Sequence, residues 1–149
     1  MKPTNQMIEA NELRIGNYFQ IHSAGKDIFF RVSQISKTGV SHGTTGQSGY
    51  RLFTYKMINP IPINKEWLSK FGFKEWGENM MHVDAWSPGH PSQRFDIDWR
   101  EDMGIITKSR YQGDRFDDFK MRHINCVHRL QNLFFSLTGQ ELSFIKSKT

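Results

Sequence analysis

His82, Asp84, Asp96 and Asp98 are the residues whose types and spacing bear most directly on chemistry. Each pair is two residues apart, and residues two apart on a strand face the same way. If the turn-rich stretch Ser87 to Gln93 is centred on His90, His82 falls opposite Asp98 and Asp84 opposite Asp96. One imidazole and three carboxylates would then share a hairpin face. Such a group suits a divalent cation through oxygen ligands, or a general acid and base. A solvated polar strand face produces the same alternation, and no ligand motif accompanies it, so the expectation is surface charge with no metal and no cofactor.

Other candidates are tested by the spacing their chemistry requires. Gly39, Gly43, Gly46 and Gly49 invite comparison with a phosphate-binding loop, but no Gly-Lys-Ser/Thr ending or dinucleotide fingerprint follows, so a hairpin tip is expected. Cys126 is the only cysteine and borders an apolar stripe. His123 and His128 flank it, but neither stands four residues from it, and a small buried hydrophobe is the expected role. The two histidines are five apart and miss the spacing of paired helical zinc ligands.

The remaining constellation is basic and aromatic. Arg31, Arg51, Lys56, Tyr50 and Tyr55 fall on expected strands, where aromatic rings can stack on bases while cations contact phosphates. Filling of a barrel by alternate aromatics accounts for much of the same pattern. The net charge of +5 and pI near 9.4 favour weak association with polyanions and say nothing of fold.

These residues need elements to position them, and 149 residues fit one domain of ordinary size, residues 1–149. With one cysteine, no secretory pattern at Met1 to Asn11 and no apolar run near the roughly 20 residues of a membrane span, a cytoplasmic protein without membrane contact is expected. Leu13 to Phe19, Ile28 to Ile35 and Tyr50 to Ile58 read as strands, and region 12–58 is expected to be a small SH3-like barrel. The prolines of Asn59-Pro60-Ile61-Pro62-Ile63 make an extended connector. Residues 64–72 read as a short helix, with Asn64 as N-cap, Glu66 in its first turn, Ile63 and Leu68 as a staple and Gly72 as the stop. Period-two alternation over 80–108 predicts a β-meander, with Tyr111 to Asp118 as a loop.

Ile124, Val127, Leu130, Leu133, Phe134 and Leu137 recur at helical spacing and stop at Gly139, which predicts a C-terminal helix over 120–138 that closes the core. Glu141 to Phe144 alternate, and a short terminal strand is expected there. The fold class is α+β.

Three segments carry a resemblance: Glu12-Leu13-Arg14-Ile15-Gly16-Asn17, Ile61 through Phe73, and Val127 through Leu142. Together they cover about a quarter of the chain, which resembles a family of short uncharacterised proteins from gut bacteria and their phages or mobile elements. The resemblance implies a shared fold and a mobile-element origin, and it implies no catalytic residue. The functional expectation is a non-catalytic, phage-associated accessory protein that binds another macromolecule, with a protein partner favoured over nucleic acid. A nucleic-acid-binding module built on the N-terminal half is the alternative. A metal-assisted enzyme using His82, Asp84, Asp96 and Asp98 is the second alternative.

Overall fold

The computed structural model describes residues 8–77, 80–87, 90–100, 104–110, 116–121 and 124–144, with side chains for 8–74 and 124–144. It is an α+β protein of antiparallel sheets and two helices, in which the chain forms two compact units. The first runs to Pro62 and takes in Cys126–Asn132; the second holds Ile63–Asn125 and continues from Leu133.

In the first unit a 3-10 turn, Ala10–Glu12, precedes β1 (Tyr18–Ser23) and β2 (Lys26–Arg31), which pair antiparallel. Ala24 and Gly25 join them with φ of 52° and 76°, the two positive angles that a tight hairpin turn requires. Next come β3 (Gln34–Ile35), β4 (Gly39–His42) and β5 (Arg51–Thr54), in a second antiparallel sheet of order β3-β4-β5. The run from β2 to β3 serves both sheets. The Val32 N–H donates to the Asn17 carbonyl at 2.8 Å, and the Ser33 N–H donates to the Ser41 carbonyl at 2.7 Å.

Phe19 of β1, Val40 of β4 and Phe53 of β5 fill one core, with Val32 and Ile58 from the segments that follow β2 and β5 and Ile8 and Leu13 from the N-terminal stretch. Phe53 meets Phe19 edge-on at 5.4 Å and Phe30 at 4.9 Å between ring centres. No closed barrel forms among the described residues, because the ladder that ends with β2 is not the one that holds β5. The connector is extended as expected, bridging Asn59 to Gln20 and Pro62 to Cys126.

The second unit opens with α1 (Lys65–Lys70). The Asn64 carboxamide oxygen accepts the Trp67 N–H at 2.9 Å, the N-cap bond read from the sequence. At the other end Gly72 has φ +88°, the Gly72 N–H bonds to the Ser69 carbonyl and the Phe73 N–H bonds to the Leu68 carbonyl, which is the Schellman pattern. Trp67, Leu68, Phe71 and Phe73 are buried. A five-stranded antiparallel sheet follows: β6 (Lys74–Gly77), β7 (Met80–Ser87), β8 (His90–Arg100), β9 (Gly104–Arg110) and β10 (Phe116–Met121), in the order β10-β9-β8-β7-β6. The expected meander is thus flanked by two further strands.

The second helix, α2 (Val127–Thr138), begins seven residues later than the expected 120, because Phe116–Met121 pairs with β9 instead. It is shared between the units after Asn132. The Gly139 N–H returns to the Phe135 carbonyl at 2.8 Å with φ +73°, ending the helix where the sequence placed its stop. Val127, Leu130 and Phe134 are buried, but Leu133 is half-buried and Leu137 is 58% exposed. Glu141 to Phe144 form no strand. Leu142 is buried, and the Phe144 ring stands 5.7 Å from Trp67 and 5.4 Å from Phe71, so aromatic packing takes the segment that alternation assigned to a ladder.

Candidate functional site

The acidic hairpin pairs in a register two residues away from the expected one. His82 faces Asp96, Asp84 faces Arg94 and Asp98 faces Met80, because the loop closes between Ser87 and His90, with an irregularity between Ala85 and Ser87. An even shift keeps every residue on its expected face. It nevertheless separates Asp84 from Asp96 as a direct pair and sets a basic residue opposite Asp84. The side chains of His82, Asp84, Asp96 and Asp98 lie outside the described residues. Among the described residues no group of three or more His, Cys, Asp and Glu could hold a metal ion.

The basic and aromatic residues lie on the first unit. Arg31, Arg51 and Lys56 are exposed, whereas Tyr50 and Tyr55 are half-buried and flank β5 instead of lying in it. The Arg31 guanidinium carbon stands 5.9 Å from the centre of the Tyr18 ring, and the Tyr55 hydroxyl donates to the Ser36 carbonyl. His42 links two of the five: it is the ladder partner of Arg51, and its Nδ1 lies 2.9 Å from the Arg31 carbonyl oxygen. The glycine-rich loop makes successive turns, Gln47 N–H to Thr44 carbonyl and Tyr50 N–H to Gln47 carbonyl, with positive φ at Gly43, Gly46 and Gly49.

The cluster richest in titratable groups among the described residues is one that sequence spacing discounted. The Glu12 carboxylate, at the end of the 3-10 turn, lies 3.1 Å from His128 Nε2 and 3.3 Å from an Arg129 guanidinium nitrogen, and Cys126 Sγ lies 3.5 Å from His128 Nδ1. Cysteine, imidazole and carboxylate in that sequence are the components of a nucleophilic triad. The geometry and electrostatics oppose that use. Sγ is 3.8 Å from Nε2 as well, so the sulfur sits beside the ring edge or over its face and off the in-plane lone-pair axis of Nδ1. His128 is 1% exposed and Cys126 4%.

Burial pushes the Cys126 thiol up to about 11, with the Glu12 charge adding to it, against the smaller opposing pull of Arg129. Burial also holds His128 below its ordinary value, helped by the Arg129 charge and opposed by the hydrogen bond and charge of Glu12. For Glu12 burial acts upward, but the bonds from His128 and Arg129 together with their charges outweigh it, and the carboxyl lies below its ordinary range. At neutral pH the three are a thiol, a neutral imidazole and a carboxylate. A nucleophilic pair needs a thiolate, and none is favoured here.

A ladder of amides continues the cluster and shows what it does. The Gln131 side chain accepts the Tyr18 N–H at 2.9 Å and donates to the Gly16 carbonyl at 3.0 Å, as a neighbouring strand would. Asn132 donates to the Glu12 carbonyl at 2.7 Å and accepts from Asn17 at 2.9 Å, while Asn17 accepts the Arg14 N–H at 2.7 Å. The first half of α2 is thereby fastened to residues 12–18 through polar side chains. His128 and Gln131 fall on a face that an apolar-stripe reading calls polar and outward. The long-range partners Glu12 and Asn17 carried no local signal.

No protein-family model, no curated protein and no solved structure matches this chain.

Proposed function

We propose that this is a non-catalytic accessory protein, cytoplasmic and phage-associated, that works by binding another protein through its first unit. The observation that carries the reading is the contrast within that unit. His128 and Cys126 of its acid–base cluster are buried and the thiol is driven away from reactivity, while Leu52 on the sheet-edge strand β5 is 67% exposed and Ile15 65% exposed. Exposed apolar side chains, one on a sheet-edge strand and one in the turn before β1, favour protein contact. The succession of five short strands around one core supports the SH3-like reading of this half as an open variant, and the family resemblance supports the phage context. No helix among the described residues is long and apolar enough to cross a membrane.

The test is affinity capture from the native host followed by reconstitution with the purified candidate. A stoichiometric complex that Leu52→Lys and Ile15→Lys both weaken, with folding intact, supports the reading. Failure of any partner to reconstitute, or binding indifferent to both changes, overturns it. A second reading, nucleic-acid binding, is favoured by the linkage of exposed Arg31 and Arg51 through His42. Tight binding of oligonucleotides at physiological salt, lost in Arg31→Ala with Arg51→Ala, would put it first.

A further inference from the structure

The buried histidine of the first unit has a use that neither reading of its surface includes. His128 is the second residue of α2, where the positive end of the helix dipole disfavours a cation, and it is 1% exposed with Arg129 beside it. Among the described residues the titratable and charged groups facing it are Glu12 from the 3-10 turn, Cys126 from the stretch before α2 and Arg129 from α2 itself. The Glu12 carboxylate is the partner of both His128 and Arg129, and the Glu12 backbone is bonded to Asn132. The histidine therefore sits at the joint between residues 8–17 and the helix, in a place built for a neutral ring.

We propose that the Glu12–His128 contact is an acid-sensitive latch, which holds residues 8–17 against the start of α2 at neutral pH and loosens on mild acidification. The closed joint resists taking a proton, because burial, the helix end and Arg129 together outweigh Glu12. An opened joint exposes the imidazole to water, where it takes a proton at its ordinary value of 6.5. Protons bind the open form preferentially, so lowering the pH draws the equilibrium toward it. The largest effect this linkage permits at pH 5, with the closed form unprotonated, is about a 30-fold rise in the open fraction over its value at pH 8. The Gln131 bonds to Gly16 and Tyr18 do not titrate, so they limit the loosening where the segment enters β1.

Hydrogen exchange of the full chain, read as protection factors so that intrinsic pH dependence divides out, tests this at pH 8 and pH 5. The expected result is a fall in protection at residues 8–17, up to about 30-fold, relative to residues 39–54 of the same unit, and no such relative fall in His128→Gln, which retains a donor and does not titrate. An unchanged ratio in the wild type, or the same fall in the variant, overturns the latch. A ring titration of His128 followed by NMR in the wild type reads the same point without a substitution. A midpoint below 6.5 supports the latch, and one at or above 6.5 overturns it.

Discussion

Replacing Gln131 by Leu removes both ends of the amide clasp while keeping a side chain of similar size. Gln131 is 1% exposed, and it is the recorded partner of the Tyr18 N–H at 2.9 Å and of the Gly16 carbonyl at 3.0 Å. Tyr18 and Gly16 are buried, so water cannot take over the two bonds without opening the joint. A buried donor or acceptor left unpaired costs about 1–3 kcal/mol, which puts the loss at about 2–6 kcal/mol for the pair. The extra apolar burial of leucine offsets roughly 1 kcal/mol of that at most. The remainder is a large fraction of the roughly 5–15 kcal/mol that stabilises a domain. Denaturant unfolding of wild type and variant, with fluorescence and circular dichroism followed together because two units are present, measures the difference. A loss below about 0.5 kcal/mol, the scale of an ordinary surface change, would refute the clasp.

Gly39→Ala should cost about 3 kcal/mol or more, since a Cβ there would stand 2.0 Å from the Phe53 carbonyl oxygen, whereas Gly46→Ala meets open space and should cost only about 1–2 kcal/mol for its positive φ; chemical denaturation separates them. Leu130→Ala should lose about 2–5 kcal/mol and Leu137→Ala less than about 0.5 kcal/mol by the same assay, in keeping with 1% and 58% exposure. Asn64→Ala should destabilise the second unit by about 1 kcal/mol through loss of the Trp67 cap bond, and Asn64→Asp should restore most of it. In thermal melts against pH, stability should fall as pH drops below about 6.5, because the unfolded chain then binds a proton that folded His128 resists. It should fall further below about 4.5, as the unfolded chain protonates the carboxyl that folded Glu12 keeps ionised. His128→Gln should remove the first decline and weaken the second, in which the Arg129 bond and charge remain.

Local chemistry was legible in the sequence and long-range pairing was not. Asn64, Gly72 and Gly139 act within a turn or two of themselves, and all three do in the structure what their residue types dictate. The β7–β8 hairpin shows the limit: alternation predicted the two strands, but the register depended on a loop whose closing pair no composition rule gives. The helix stripe shows another limit. Leu137 stands two turns beyond buried Leu130 on nearly the same face and is still 58% exposed, so helical spacing alone does not set burial, while His128 and Gln131 are buried because partners in residues 12–18 satisfy them. The Cys126–His128–Glu12 grouping depends on one such partner, more than a hundred residues away in the chain.

Whether that grouping is structural or chemical is decided most directly by the reaction of Cys126, the sole cysteine, with an excess of a disulfide reagent at neutral pH. Raising the thiol from 9.0 to about 11 leaves about a hundredfold less thiolate than in an ordinary cysteine, and burial slows access further. The native protein should therefore react at least about 100-fold more slowly than the same chain in denaturant. A native rate equal to or above the denatured one, persisting below pH 7, would mean a thiolate–imidazolium pair and contradict a non-catalytic protein.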